Sequence, residues 1–124
     1  MPELNDLTYS IIGCAFRVHS HLGPGLLESI YEPCLVHELT LKGLQVAQQV
    51  PMPIVYKGKH VGPGYRADLV VEDAIILELK AVEAILPVHE AQLLTYMKLS
   101  GFHLGLLLNF HVRDMKQGIR RFIL

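Results

Sequence analysis

No run of 18 uninterrupted apolar residues occurs among the 124 residues of the chain, so no membrane-spanning helix is expected. Cysteine is scarce. Cys14 and Cys34 are the only two, both within apolar, helix-like segments, which favours buried free thiols in a reducing compartment over a disulfide staple. The opening Met-Pro-Glu-Leu-Asn-Asp has no basic region followed by an apolar run and does not read as a signal peptide. The cytoplasm is therefore the expected location. Ligand spacing of the His-x3-His kind is missing from the seven histidines, and His19 and His21 diverge on a helix, so a zinc site is not expected. Gly23-Pro24-Gly25 lacks the length and the preceding strand of a phosphate-cradling loop and reads as one helix's stop before another's start. With no repeat, low-complexity tract or linker, residues 1–124 are expected to form one domain.

Net charge is also small, −1, and offers no overall field to draw a polyanion. Its distribution is uneven. Residues 97–124 carry Lys98, Arg113, Lys116, Arg120 and Arg121 against Asp114 alone, while residues 1–96 hold six basic groups against eleven acidic ones. A basic C-terminal face beside an acidic pocket would suit a polyanion, although charge alone favours an ordinary solvated surface.

What is present is ordinary globular material, 51% hydrophobic and 19% charged. Leu7, Ile11, Cys14, Ala15 and Val18 recur at helical spacing and predict a helix over 6–22, capped by Asn5 or Asp6. A second helix is expected from about Leu26 to Lys42, stopped by Gly43 and either bent at Pro33 or begun later than it looks. Leu44 to Tyr56, interrupted by Pro51 and Pro53, reads as an edge or bulged strand. After the turn at Lys57-Gly58-Lys59 comes a strand over 61–71, irregular near Gly62-Pro63-Gly64. Glu72-Asp73-Ala74 turns into an apolar strand from Ile75 to Lys80. Pro87 opens a helix to Ser100, closed by Gly101; Leu104 to Phe110 is a buried strand, and Ile119 to Leu124 a last edge strand. The order α-α-β-β-β-α-β-(β) is a mixed central sheet flanked by helices, an α/β chain of the α+β kind.

The chemistry gathers at one hairpin. If its turn is centred on Asp73, facing residues have numbers that sum to 146, and Asp68 lies opposite Glu78. Two carboxylates across adjacent strands repel unless something positive sits between them. Alternation puts Lys80 on the face of Glu78 and turns Leu79 away. Charge in so apolar a strand is costly without a partner or a task. A salt bridge among Asp68, Glu78 and Lys80 is one account. Two hard oxygen ligands, a main-chain carbonyl and waters around Mg²⁺ or Mn²⁺ are the other, and the opposing aspartate favours it.

The spacing Asp68-x9-Glu78-x-Lys80 resembles the signature of the PD-(D/E)XK nuclease superfamily. Gly25-Leu26-Leu27-Glu28-Ser29-Ile30-Tyr31 is similar to the motif of the GxxExxY protein family within it. Tyr65-Arg66-Ala67-Asp68-Leu69, Leu77-Glu78-Leu79-Lys80-Ala81-Val82-Glu83, Gln92-Leu93-Leu94-Thr95-Tyr96 and Asn109-Phe110 extend the likeness from about Ile11 to Leu124. Ala67 stands where such nucleases often have proline. The resemblance implies a restriction-endonuclease-like core and a metal-dependent hydrolysis of phosphodiester bonds, in DNA, with Mg²⁺ or Mn²⁺ as cofactor. It makes Asp68, Glu78 and the main-chain carbonyl of Leu79 metal ligands, and Glu28 a further ligand, direct or through water. Lys80 would position the attacking water, and Gln92 and Tyr96 resemble a Gln-x-x-x-Tyr element that supports the site and contacts substrate.

Other residues have two readings each. Arg66, two before Asp68 and expected on its face, suits a phosphate or a carboxylate equally. His89 could touch substrate or cap the third helix. Tyr31 supports Glu28 or belongs to the core, and the core is preferred; Glu83 is expected at the surface. The rival functions are a non-catalytic nucleic-acid-binding or regulatory protein that keeps the fold, and an adaptor that dimerises through its first helix.

Overall fold

The structure, a computed structural model, describes residues 2–124 apart from the side chains of residues 2, 3 and 63. The elements run α1 (Pro2–Leu22), α2 (Glu28–Leu41), β1 (Val46–Tyr56), β2 (Lys59–Val71), β3 (Ile75–Lys80), α3 (Pro87–Ser100), β4 (Leu104–Asn109), a short 3₁₀ turn (Met115–Gly118) and β5 (Ile119–Ile123). The strands form one sheet in the order β1-β2-β3-β4-β5. All neighbours are antiparallel except β3 and β4. That parallel pair needs a crossover, and α3 supplies it. The α+β class and the mixed sheet between helices are as expected from the sequence.

Period two divides the sheet's apolar side chains between its faces. Ile75, Leu77 and Leu79 of β3 pack with Leu106 and Leu108 of β4 against α1 and α2, where Ile11, Cys14, Tyr31 and Leu35 are fully buried. Ile76 and Leu107 face the other way, onto Leu93 and Met97 of α3. Glu78 and Lys80 follow Ile76 on this second face. Cys14 is buried and Cys34 half-buried, both as free thiols, and burial pushes the Cys14 thiol up from its ordinary pKa. Among the described residues no helix is long and apolar enough to cross a membrane.

Both of the first two helices start elsewhere than expected. α1 already runs at Pro2, so Asn5 and Asp6 lie inside it rather than capping it; proline is tolerated in a first turn, and Leu4 and Leu7 extend the apolar stripe onto the core. α2 starts at Glu28, not Leu26. Pro33 falls in its second turn, where it withdraws the donor that would bond the Ser29 carbonyl. The helix ends as expected at Gly43, φ 80°, with the Leu44 N–H donating to the Leu39 carbonyl (3.1 Å) and that of Gly43 to Thr40 (2.9 Å). The basic C-terminal residues do not form one face. Arg120 pairs with Glu90 of α3 at 3.6 Å, whereas Arg121 donates to Asn5 of α1 at 3.0 Å, because successive residues of β5 point to opposite sides.

β1 is an edge strand with Pro51 and Pro53, and its register with β2 shifts between Met52 and Ile54. Gly64, φ 73°, passes so close to β1 that a Cβ there would run into the Met52 carbonyl. Gly64→Ala is expected to destabilise the protein by about 2–3 kcal/mol, from left-handed strain and a displaced strand. A urea midpoint equal to that of the unsubstituted protein would contradict this.

Candidate active site

The β2–β3 register is the expected one: Val71↔Ile75, Val70↔Ile76 and Leu69↔Leu77. Its turn is tight, with Glu72 and Asp73 both left-handed (φ 53° and 52°) and the Ala74 N–H donating to the Val71 carbonyl at 3.0 Å. The ladder stops one step before Asp68 and Glu78. There side chains take over from main chain. The Leu79 N–H donates to Asp68 Oδ2 at 2.8 Å, and the Asp68 N–H reaches Glu78 Oε1 at 3.4 Å.

The ladder on the other side of β2 opens at the same height. Gln48↔Leu69 and Val50↔Ala67 are paired, but Gln49, opposite Asp68, is not; its φ is 50°, unusual for a residue other than glycine. Across this gap the alternation reverses. Val46, Leu69 and Val71 pack on the α1/α2 side, while Val50, Met52, Tyr65 and Ala67 pack on the α3 side. Gln49 turns its amide to Asp68 Oδ1 (3.4 Å) and to Glu32 of α2 (2.9 Å).

Glu78 is half-buried, and its carboxyl pKa is pushed up to about 8, first by burial and then by the charge of Asp68. The Asp68 N–H and the Lys80 ammonium oppose that rise, and Glu28 adds to it from α2. A pair of carboxylates held this way attracts a cation. Among the described residues no group of three or more His, Cys, Asp and Glu side chains stands close enough to hold a metal ion, so side chains alone supply the Asp68–Glu78 pair, with main chain and water left to complete a shell. Both are hard oxygen donors, which fits Mg²⁺ or Mn²⁺ rather than zinc.

The family model of the PD-(D/E)XK nuclease superfamily matches residues 5–122. The chain belongs to the PD-(D/E)XK nuclease superfamily. No curated protein and no solved structure matches it significantly. Its nuclease-like fold brings Asp68, Glu78 and Lys80 together at the end of the β2–β3 hairpin, where β3 ends and its last carbonyl, that of Lys80, accepts from Phe110 N–H (2.9 Å).

The remaining predicted residues of this PD-(D/E)XK chain are placed as follows. Glu28 is the exposed first residue of α2, within electrostatic reach of Glu78. Gln92 is exposed on α3, one turn before the half-buried Tyr96. Arg66 is exposed and donates to the Gln49 carbonyl at 3.5 Å. The reversal of alternation takes it off the face of Asp68 and puts Tyr65 there instead, which corrects the expected placement. His89 caps α3: its Nδ1 accepts from the Leu86 N–H at 3.0 Å. Glu83 is exposed, 3.8 Å from His111. Tyr31 is core, as preferred, and also a clamp. Its ring stacks on Phe110, and its hydroxyl donates to the Gly23 carbonyl (2.6 Å) while accepting from the Leu26 N–H (3.1 Å). The Gly-x-x-Glu-x-x-Tyr pattern thus fixes the loop that delivers Glu28. Tyr31→Phe is expected to cost about 1–3 kcal/mol, read as a lowered thermal midpoint, since it strands both loop groups.

Sequence reasoning missed Glu32, Gln49, Tyr65 and Asn109. Glu32 had a signal, its place one turn after Glu28 on the same helical face. Buried Asn109 pairs with Lys80 in register, and its amide bonds Val82 twice (2.9 and 3.0 Å), which sets the exit of the chain from β3.

Proposed function

We propose that the chain is a metal-dependent nuclease that hydrolyses phosphodiester bonds in DNA and works in the cytoplasm with Mg²⁺ or Mn²⁺. The observation that carries this reading is the meeting of the Asp68 and Glu78 carboxylates where both strand ladders open, with Lys80 on the face of Glu78. Asp68, Glu78 and the Leu79 carbonyl would hold the cation, and Glu28 would contribute through water. When bound, such a cation lowers the pKa of its water and stabilises charge on the phosphate. Lys80 would orient the attacking water and balance the growing negative charge with its ammonium. Gln92 and Tyr96 line the approach from α3, and Arg66 meets the phosphate backbone farther out. The free thiols fit a reducing compartment.

A second reading, an adaptor that pairs with a copy of itself through α1, is favoured by the exposed Tyr9 and Phe16 on that helix. Calorimetric titration with Mg²⁺ and Mn²⁺ separates the two. The nuclease reading expects saturable binding at millimolar metal or below, abolished by Glu78→Ala. Absence of binding to the unsubstituted protein would sink it. Single-stranded, double-stranded and branched DNA, and RNA, then define the substrate.

A further inference from the structure

Tyr65 packs on the α3 face beside the carboxylate pair and has no part in the metal chemistry proposed for it. Its ring stacks on Tyr96 with centroids 3.3 Å apart and planes 13° from parallel, so the hydroxyl is held in one place. That hydroxyl is buried and, among the described residues, is the only buried side-chain nitrogen or oxygen with no hydrogen-bond partner. Buried polar groups are normally paired, and an orphan at a carboxylate site asks what its acceptor is.

The surroundings narrow the answer. Burial, then the charges of Glu78, Tyr96 and Asp68, push the Tyr65 phenol well above its ordinary pKa, so the group stays a donor. Asp68 is the better served of the two: Oδ2 accepts from the Leu79 N–H at 2.8 Å, and Oδ1 has a long contact from Gln49 at 3.4 Å. Glu78 has only the long contact from the Asp68 N–H, at Oε1. No donor among the described residues reaches its Oε2. The site therefore holds a buried, unpaired donor and, within electrostatic reach of it, a glutamate oxygen that no protein donor serves.

We infer that Tyr65 is a positioning residue, whose hydroxyl donates to the Glu78 carboxylate and holds it in its metal-binding pose, with Tyr96 fixing the phenol by stacking. This deepens the metal-site reading and rests on it. Partners that orient a ligand in this way commonly affect metal affinity by about 10–100-fold. The polar contact is then formed in the loaded site rather than the empty one, as catalytic hydrogen bonds often are.

The test is the Mn²⁺ affinity, measured by calorimetry, of the unsubstituted protein and of the Tyr65→Phe, Tyr96→Phe and Tyr96→Leu variants, together with their melting temperatures in EDTA. Tyr65→Phe is expected to bind Mn²⁺ about 10-fold more weakly while melting at or above the unsubstituted protein, since it only removes an unpaired buried hydroxyl. Tyr96→Phe keeps the stack and the affinity; Tyr96→Leu loses both. Unchanged affinity in Tyr65→Phe would overturn the inference and leave the metal site standing. A Tyr65→Phe protein that melts well below the unsubstituted one would overturn it too, by giving the hydroxyl a structural bond. An unsubstituted protein that takes up no Mn²⁺ would overturn the inference and the metal site together.

Discussion

On the proposed nuclease reading, Lys80→Ala is expected to lower the single-turnover rate of Mg²⁺-dependent DNA cleavage by about 10²–10³-fold, the effect of removing one preorganised charge at a developing phosphate anion. Lys80 is suited to that part because it is the last residue of β3 and its carbonyl is bonded to the Phe110 N–H, so its backbone is fixed at the rim of the site. The loss should fall on the rate rather than on folding, since Lys80 belongs to neither apolar cluster. Lys80→Arg restores little, because a planar guanidinium does not reproduce a compact ammonium. Cleavage by Lys80→Ala at the unsubstituted rate would remove Lys80 from the mechanism.

The second large effect is on stability, in the absence of metal. Burial and the Asp68 charge raise the Glu78 carboxyl to about 8 in the folded state, from 4.5 in the unfolded chain. Between those values the folded state binds the additional proton. Stability contributed by this group is therefore complete below pH 4.5 and is lost as pH rises through about 8, by about 3–5 kcal/mol over the whole window. In EDTA the urea midpoint should thus fall between pH 5 and pH 9. Glu78→Gln, neutral throughout, should flatten that slope and be the more stable protein at pH 9. Millimolar Mg²⁺ should recover much of the loss in the unsubstituted protein and none in Glu78→Gln. A midpoint in EDTA that rises from pH 5 to pH 9 would contradict the assigned shift.

How far the site could be read from the sequence depends on the kind of signal each residue leaves. The pairing of β2 with β3 was legible, because a tight turn at Glu72-Asp73 and a strict two-residue period leave one register that buries the apolar face. The helices and the strand at Leu104 were legible for the same reason, through periodicity and through Gly43 and Gly101. The gap at Gln49 was not. A non-glycine residue with positive φ is held there by its bonds to Asp68 and Glu32, which are tertiary contacts with no local mark in the sequence. Because that gap reverses the alternation of both strands, simple counting placed Arg66 where Tyr65 stands. The start of α1 was obscured by Asn5 and Asp6, good caps in isolation that the apolar stripe from Leu4 and Leu7 overrode.

Every strand of this sheet lies beside its neighbours in sequence. Two hairpins close through short turns at Lys57-Gly58 and Glu72-Asp73, β4 and β5 are joined through the 3₁₀ turn, and β3 to β4 is the pairing that waits for an α-helix. Chain-spanning ties such as His19 to the Val112 carbonyl (2.6 Å) are made by α1, from outside the sheet. Contacts between strands adjacent in sequence close at a smaller loop-entropy cost than chain-spanning ones. Asp68, Glu78 and Lys80 all lie in the second hairpin, so closing that one hairpin is enough to make the pair of carboxylates and its lysine neighbours, whatever the remote ends of the chain do.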